Sequence, residues 1–216
     1  MEKKFELTDK FVFNTFGIKL FQIKCTKSFK YAKEGDLGGY VEKDENLDQE
    51  SDAWVYGDAQ VYGNAQVYGD AQVYGNAQVY GDARVYGDAW VYGDAQVYGD
   101  AWVYGDAQVY GNAQVYGDAQ VYGDAQVYGN AQVYGDADIE NDNNHCGFDC
   151  FGSCNRHTHA YLTKDNKVEI TCGCFRGSIE EFEKKVEKTH SGTIYEKQYK
   201  AIINVIKIKF GLTDLI

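Results

Sequence analysis

From Val55 to Asp138 the chain repeats V-Y-G-[DN]-A-x fourteen times in succession without one insertion. A six-residue period does not match the 3.6 of a helix, and a glycine in every unit would cost about 1 kcal/mol each there. It does match a four-residue strand and a two-residue corner. Reading A-x-V-Y as strand sends alanine and valine to one face and x and tyrosine to the other. Gly-Asp or Gly-Asn then makes the corner, because these residues accept a left-handed backbone and bond locally. Strands this short gain stability by stacking coil on coil into a parallel β-helix.

The repeat also explains the charge. Residues 1–54 carry 9 basic and 11 acidic groups, residues 55–138 one arginine and eleven aspartates, and residues 139–216 eleven of each, for a total of −12. An acidic rod between near-neutral ends argues against direct contact with nucleic acid or an anionic membrane. No run of about 18 apolar residues suggests a membrane span. The N-terminal MEKKFELTDKFVF lacks the apolar core of a signal peptide, so a reducing cytoplasm is the expected location.

A hydrophobic residue every six positions, with a small residue four after it, resembles the hexapeptide-repeat superfamily. That resemblance implies a left-handed parallel β-helix, triangular, with three hexads per 18-residue coil. The hand comes from the resemblance, since parallel crossovers are normally right-handed. Many members resemble acyltransferases with a histidine base, but the fourteen units contain no histidine. A base must sit within hydrogen-bond reach of its proton, so acyl transfer is not expected and no catalytic residue is assigned.

With 18-residue coils, tyrosines form three ladders and the x positions, mostly glutamine, stack likewise. Arg84, Trp90 and Trp102 interrupt the glutamines, and Trp54 precedes the block. Trp54 and Trp90 share a face two coils apart, and Arg84 and Trp102 are neighbours suited to a cation–π contact. The ladders either stabilise the coils alone or present an aromatic face to a partner, a sugar or another copy. The Asp and Asn corners either serve the turn alone or form acidic edges that mimic a nucleic acid or collect cations.

The flanks fold differently. Residues 11–24 read as a hairpin around Asn14–Gly17, and Val41, Leu47 and Ala53, at six-residue steps, suggest an irregular first coil, so residues 1–54 form an N-terminal β cap. In residues 139–216, HTHAYLTKD and KVEITCGC suggest a hairpin around Asp165-Asn166. Ser178 with Glu181 opens one helix, and Thr193 with Glu196 a second that buries Tyr199, Ile202 and Ile206. The result is a small ββαα module that docking on the rod or a metal would stabilise.

Five of the six cysteines lie between Cys146 and Cys174. Cys146, Cys150, Cys154, His157, Cys172 and Cys174, with His145 and His159 nearby, offer ligands for a structural zinc, although C-x3-C-x3-C and C-x-C are not the paired C-x2-C of common zinc folds. Free thiols and disulfides are the other readings.

The architecture also resembles a group of bacterial and prophage proteins with a GDLGG-type leader, V-x-G-[DN]-A-x repeats and a C-G-C-F-x-G tail. Here these are Gly35–Gly39, the fourteen hexads and Cys172 through His190. Where an arginine is expected after Gly-Ser, this chain has Cys154 and then Arg156. The expected function is a non-enzymatic scaffold, phage-encoded and acting on a host defence system through its C-terminal domain or aromatic face. Trp54, Trp90, Trp102, Arg84, Arg156 and Arg176 are the candidate binding residues. The expected partner is a protein or a small signalling ligand, and the expected state a homo-oligomer. The rivals are an oligomeric sponge for a nucleotide-type molecule, an acidic nucleic-acid mimic and an acyltransferase.

Overall fold

The computed structural model describes residues 3–212. Strands β1 (Phe5–Phe13), β2 (Lys19–Cys25) and β3 (Leu37–Val41) lead into fifteen two-residue strands, β4 (Trp54–Val55) to β18 (Asp138–Ile139). Each rod strand pairs in parallel with the strand three further on, one coil along the chain, as Gln96 does with Gln114 and Val97 with Val115. The result is a mainly β protein built on a parallel β-solenoid of three sheets.

Each hexad position has a distinct role. The alanines and valines of the rod are buried and form its core. The regular strand is shorter than A-x-V-Y because the chain turns in every hexad, but the flanking groups still join the ladder. Gln96 N donates to Ala113 O at 2.9 Å, Tyr98 N to Val115 O at 3.0 Å, and the corner Asp94 N to Gly111 O at 2.8 Å. The corner glycine is required twice over: Gly99 has φ +71°, and a Cβ there would lie 2.9 Å from Gly117 N of the next coil. A side chain would force coils apart that the ladder holds at about 4.8 Å.

The tyrosines stack as parallel rings. Tyr80 and Tyr98 have centroids 4.8 Å apart and 1° between planes, and Tyr98 and Tyr116 are 4.7 Å apart. Hydroxyls such as Tyr62 and Tyr104 donate to a glutamine Oε1 of the next coil at 3.2 Å. At the corners, Asn64 Nδ2 donates to Asp82 at 3.0 Å and Asn76 Nδ2 to Asp94 at 2.9 Å. Asn is therefore not simply interchangeable with Asp there: it replaces a carboxylate–carboxylate repulsion with a hydrogen bond.

The N-terminal hairpin extends one rod sheet, in the order β1-β2-β3-β5. The first coil corrects the sequence reading. Val41 pairs with Val61 and Leu47 with Val67, whereas Val55 pairs with Val73, so the first coil is longer than those that follow. The step after Leu47 runs on to Val55, and Ala53 fills an ordinary alanine site rather than the next valine site. The additional residues lie around Asp48–Asp52, where Lys4 Nζ donates to the Ser51 and Ala53 carbonyls at 2.7 and 2.8 Å.

After the rod, β19 (His145–Phe151), β20 (Arg156–Leu162), β21 (Val168–Cys172) and β22 (Phe175–Ser178) form an antiparallel sheet, followed by α1 (Ile179–His190) and α2 (Ile194–Lys209). Two of these strands are additional to the expected hairpin: the ligand-rich segment is itself β19, and β22 follows the tight turn at Gly173-Cys174. Both helices start as expected, with Ser178 accepting from Glu181 N and Thr193 from Glu196 N. No helix among the described residues is long and apolar enough to cross a membrane.

Candidate binding site where the rod meets the terminal module

Strand alternation gives the C-terminal sheet two unlike faces. Cys146, Ala160, Ile170 and Cys172 belong to the apolar cluster under the helices, with Phe182, Tyr199 and Ile206. The cross-strand register places His145 opposite Tyr161, and Gly147 and Thr171 opposite His159. These residues, with His157, Glu169 and Arg176, form the polar face turned to the end of the rod.

The two parts are joined by named bonds. Thr171 Oγ1 donates to Gln132 O at 3.0 Å and Lys164 N to Asp136 O at 3.0 Å. Tyr161 Oη donates to Glu169 Oε1 at 2.9 Å and lies 3.3 Å from Tyr134 O. Burial, reinforced by Glu169, drives the Tyr161 pKa far upward. Arg176 binds Glu169 through two nitrogens, lies 3.7 Å from Asp136, and covers the Tyr134 ring at 4.3 Å.

The histidines gather on this polar face. His145 Nδ1 is 3.0 Å from His159 Nε2, and His157 Nδ1 is 2.7 Å from Asp149 Oδ1. The side chain of His157 is 10% exposed, and its Nε2 is buried without a hydrogen-bond partner. Burial lowers the pKa of His145 against the opposing pull of Asp142, and lowers that of the fully enclosed His159 much further. A cavity of about 300 Å³ opens beside them, bordered by Tyr128, Asp142, Asp149 and Lys209. Tyr128, 53% exposed, ends its ladder there, 5.4 Å from Tyr110 and tilted by 17°.

On the other side of His157 lies a second cleft of about 310 Å³, lined by Asn130, Gln132, Cys154, Arg156 and Thr171. Arg156 makes no ion pair among the described residues. Cys154, Cys174 and Cys172 lie near it, and the charge they carry once ionised, that of Cys154 first, raises its pKa.

The sequence-based site residues are distributed unevenly. Cys146 is held under the helices, where burial pushes its thiol up to about 11. Cys172 accepts from Thr158 Oγ1 at 3.3 Å, and Cys150, Cys154 and Cys174 are exposed. All six cysteines are free thiols. The six-residue zinc set is not brought together: alternation puts Cys146 and Cys172 on one face and His157 on the other. No group of three or more His, Cys, Asp or Glu side chains among the described residues stands ready to hold a metal. Arg84 lies over the Trp102 ring at 5.1 Å, as the one-coil spacing predicts. The tryptophans themselves are placed differently from one another. Trp54 is only 1% exposed, packed by Phe5 and Phe29 at 6.3 and 5.4 Å, and Trp90 and Trp102 belong to different sheets. Arg176 is engaged in the junction. The sequence reading missed His145 and His159 as a facing pair and Asp149 as a partner. The alternating H-T-H of β20 was the signal available for them.

A family model described as the YdcK beta solenoid repeat matches residues 59–75, 77–93, 95–111, 107–123, 113–129 and 119–135. The protein is a repeat β-solenoid protein. All six matches lie in the rod, so they bear on the scaffold and leave the terminal module unassigned. No curated protein matches the chain.

Proposed function

We propose that the chain is a non-enzymatic binding scaffold whose rod carries a recognition site at its C-terminal junction. One observation carries this reading. Fourteen hexads present nearly the same surface, whereas both junction clefts, three of the four histidines and the unpaired Arg156 lie where the last coil meets the sheet. A uniform rod offers little to select one partner; concave sites with convergent polar groups do. The left-handed hexapeptide-repeat form, the prophage kinship of the C-terminal module and action on a host defence system in the cytoplasm belong to the same proposal. They rest on the leader, hexads and C-G-C-F tail.

A second reading, retention of a small anionic signalling molecule, is favoured by the Arg156 cleft. Its 310 Å³ falls at the lower end of ligand-pocket sizes, and the guanidinium is left without a carboxylate. Arg156→Ala in the full chain tests the site. Native mass spectrometry and partner capture should show retained material in the parent chain and its loss in the variant. Equal retention by both would overturn the assignment to this cleft.

A further inference from the structure

We propose that His145, His157 and His159 form a binding site for one divalent late transition-metal ion of the zinc class, with the fourth position open to the adjoining cavity. The proposal deepens the junction reading and keeps only His157 of the six-residue set suggested by the sequence, joining it to the neighbouring His145 and His159.

Two of the three rings have a carboxylate on one nitrogen, Asp142 for His145 and Asp149 for His157, while Nδ1 of His159 is buried without a partner. A metal-ligating histidine characteristically gives its other N–H to a carboxylate, which fixes the tautomer and aims the lone pair. Asp149 Oδ1 takes the Nδ1–H of His157 at 2.7 Å, so the lone pair of His157 sits on Nε2, the buried atom without a partner. Asp142 Oδ1 lies 3.4 Å from His145 Nε2, on the side away from the cavity pair, and turns the Nδ1 lone pair toward His159. The 3.0 Å between His145 Nδ1 and His159 Nε2 is hydrogen-bond spacing, and opening it by a few tenths of an ångström reaches the roughly 3.3 Å that two imidazole nitrogens keep on a tetrahedral zinc.

The surroundings suit an imidazole-bound cation. His157 and His159 have ring centroids 5.7 Å apart, and His145 and His159 5.2 Å. Three imidazoles and an open position are a familiar environment for zinc. Lys209 opposes a cation, but its Nζ is held by the Asp142 carbonyl at 3.1 Å, and Asp142 and Asp149 offset its charge. The three rings do not yet converge on one point. A shift of His157 and Asp149 together, with their bond kept, brings Nε2 to the pair as the third ligand, and the residue facing that nitrogen is Gly147. A Cβ there would sit 2.7 Å from His157 Cε1 and 3.0 Å from Nε2, so the glycine leaves the ring its space.

The test is Co²⁺ and Zn²⁺ titration of the full chain after chelator treatment, followed by visible absorption and native mass spectrometry. The proposal expects one ion per chain, a Co²⁺ ligand-field spectrum without a thiolate charge-transfer band, and unchanged binding in a Cys150→Ser/Cys154→Ser/Cys174→Ser chain. His159→Gln should abolish binding. Because that ring is fully enclosed, His157→Gln and Asp149→Asn serve as milder variants. Asp149→Asn should weaken affinity about 10- to 100-fold, as loss of such an orienting carboxylate does. No uptake, uptake that follows the cysteines, or affinity unmoved by His157→Gln would overturn it. Partner capture in the presence of chelator reads the scaffold role separately, so a failed metal site and a failed binding role are distinguishable.

Discussion

The guanidinium of Arg176 lies 4.3 Å from the centroid of Tyr134, the last rung of the ladder that runs through Tyr80, Tyr98 and Tyr116. The ladder thus ends on a cation, which Glu169 and Asp136 hold in place. Rod and terminal module share this contact. Arg176→Ala should therefore destabilise the whole chain by about 1–2 kcal/mol, the combined scale of a cation–π contact and a partly exposed ion pair. Urea unfolding checks it. A midpoint unchanged from the parent would mean that the junction does not couple the two parts.

Gly99 and Gly192 separate steric from conformational cost. Both have positive φ, but Gly99 faces Gly117 N at 2.9 Å whereas Gly192 has open space. Gly192→Ala should cost about 1 kcal/mol from backbone strain alone. Gly99→Ala should cost at least about 2 kcal/mol more, because the coils must also separate. Thermal unfolding of the two variants ranks them.

The two tryptophans of one sheet should respond to very different degrees. Trp54, buried by Phe5 and Phe29, should cost about 3–5 kcal/mol as Trp54→Ala, the range for emptying an aromatic core site. Trp90, 40% exposed, should cost less than about 1 kcal/mol. Denaturant unfolding of both variants distinguishes a core role from a surface one.

Alkaline stability follows from the ladders. Burial pushes Tyr56 and Tyr98 up to about 12, from 10.0. These groups are neutral in both folded and unfolded chains below pH 10, so their contribution is complete there. Between about pH 10 and 12 the unfolded chain ionises first, and stability falls as pH rises through that window. Tyrosinate absorbance should lag that of free tyrosine, and circular dichroism should show the rod lost at the end of the same titration.

The rod was readable because one short rule repeats: the positions of Ala, Val and Gly fix faces, corners and the coil register that brings Arg84 to Trp102. Both helix starts were readable from Ser178 and Thr193 for the same local reason. What escaped depended on contacts between distant segments. The burial of Trp54 requires Phe5 and Phe29 to fold back over it, and the lengthened step from Leu47 to Val55 is hidden because Ala53 satisfies a six-residue count. The histidine pair needs the β19–β20 register. Cys146 and His157 appear as neighbours in a ligand-rich run until strand alternation places them on opposite faces.

The central claim is that recognition resides at the junction and not along the rod. The most direct measurement is native mass spectrometry, with partner capture, on the full chain purified under reducing conditions without chelator, beside Arg156→Ala and a Trp90→Ala/Trp102→Ala chain. The account predicts bound non-metal material in the parent and the tryptophan variant and its loss in Arg156→Ala. Loss in the tryptophan variant with retention in Arg156→Ala would contradict it and return the function to the rod face.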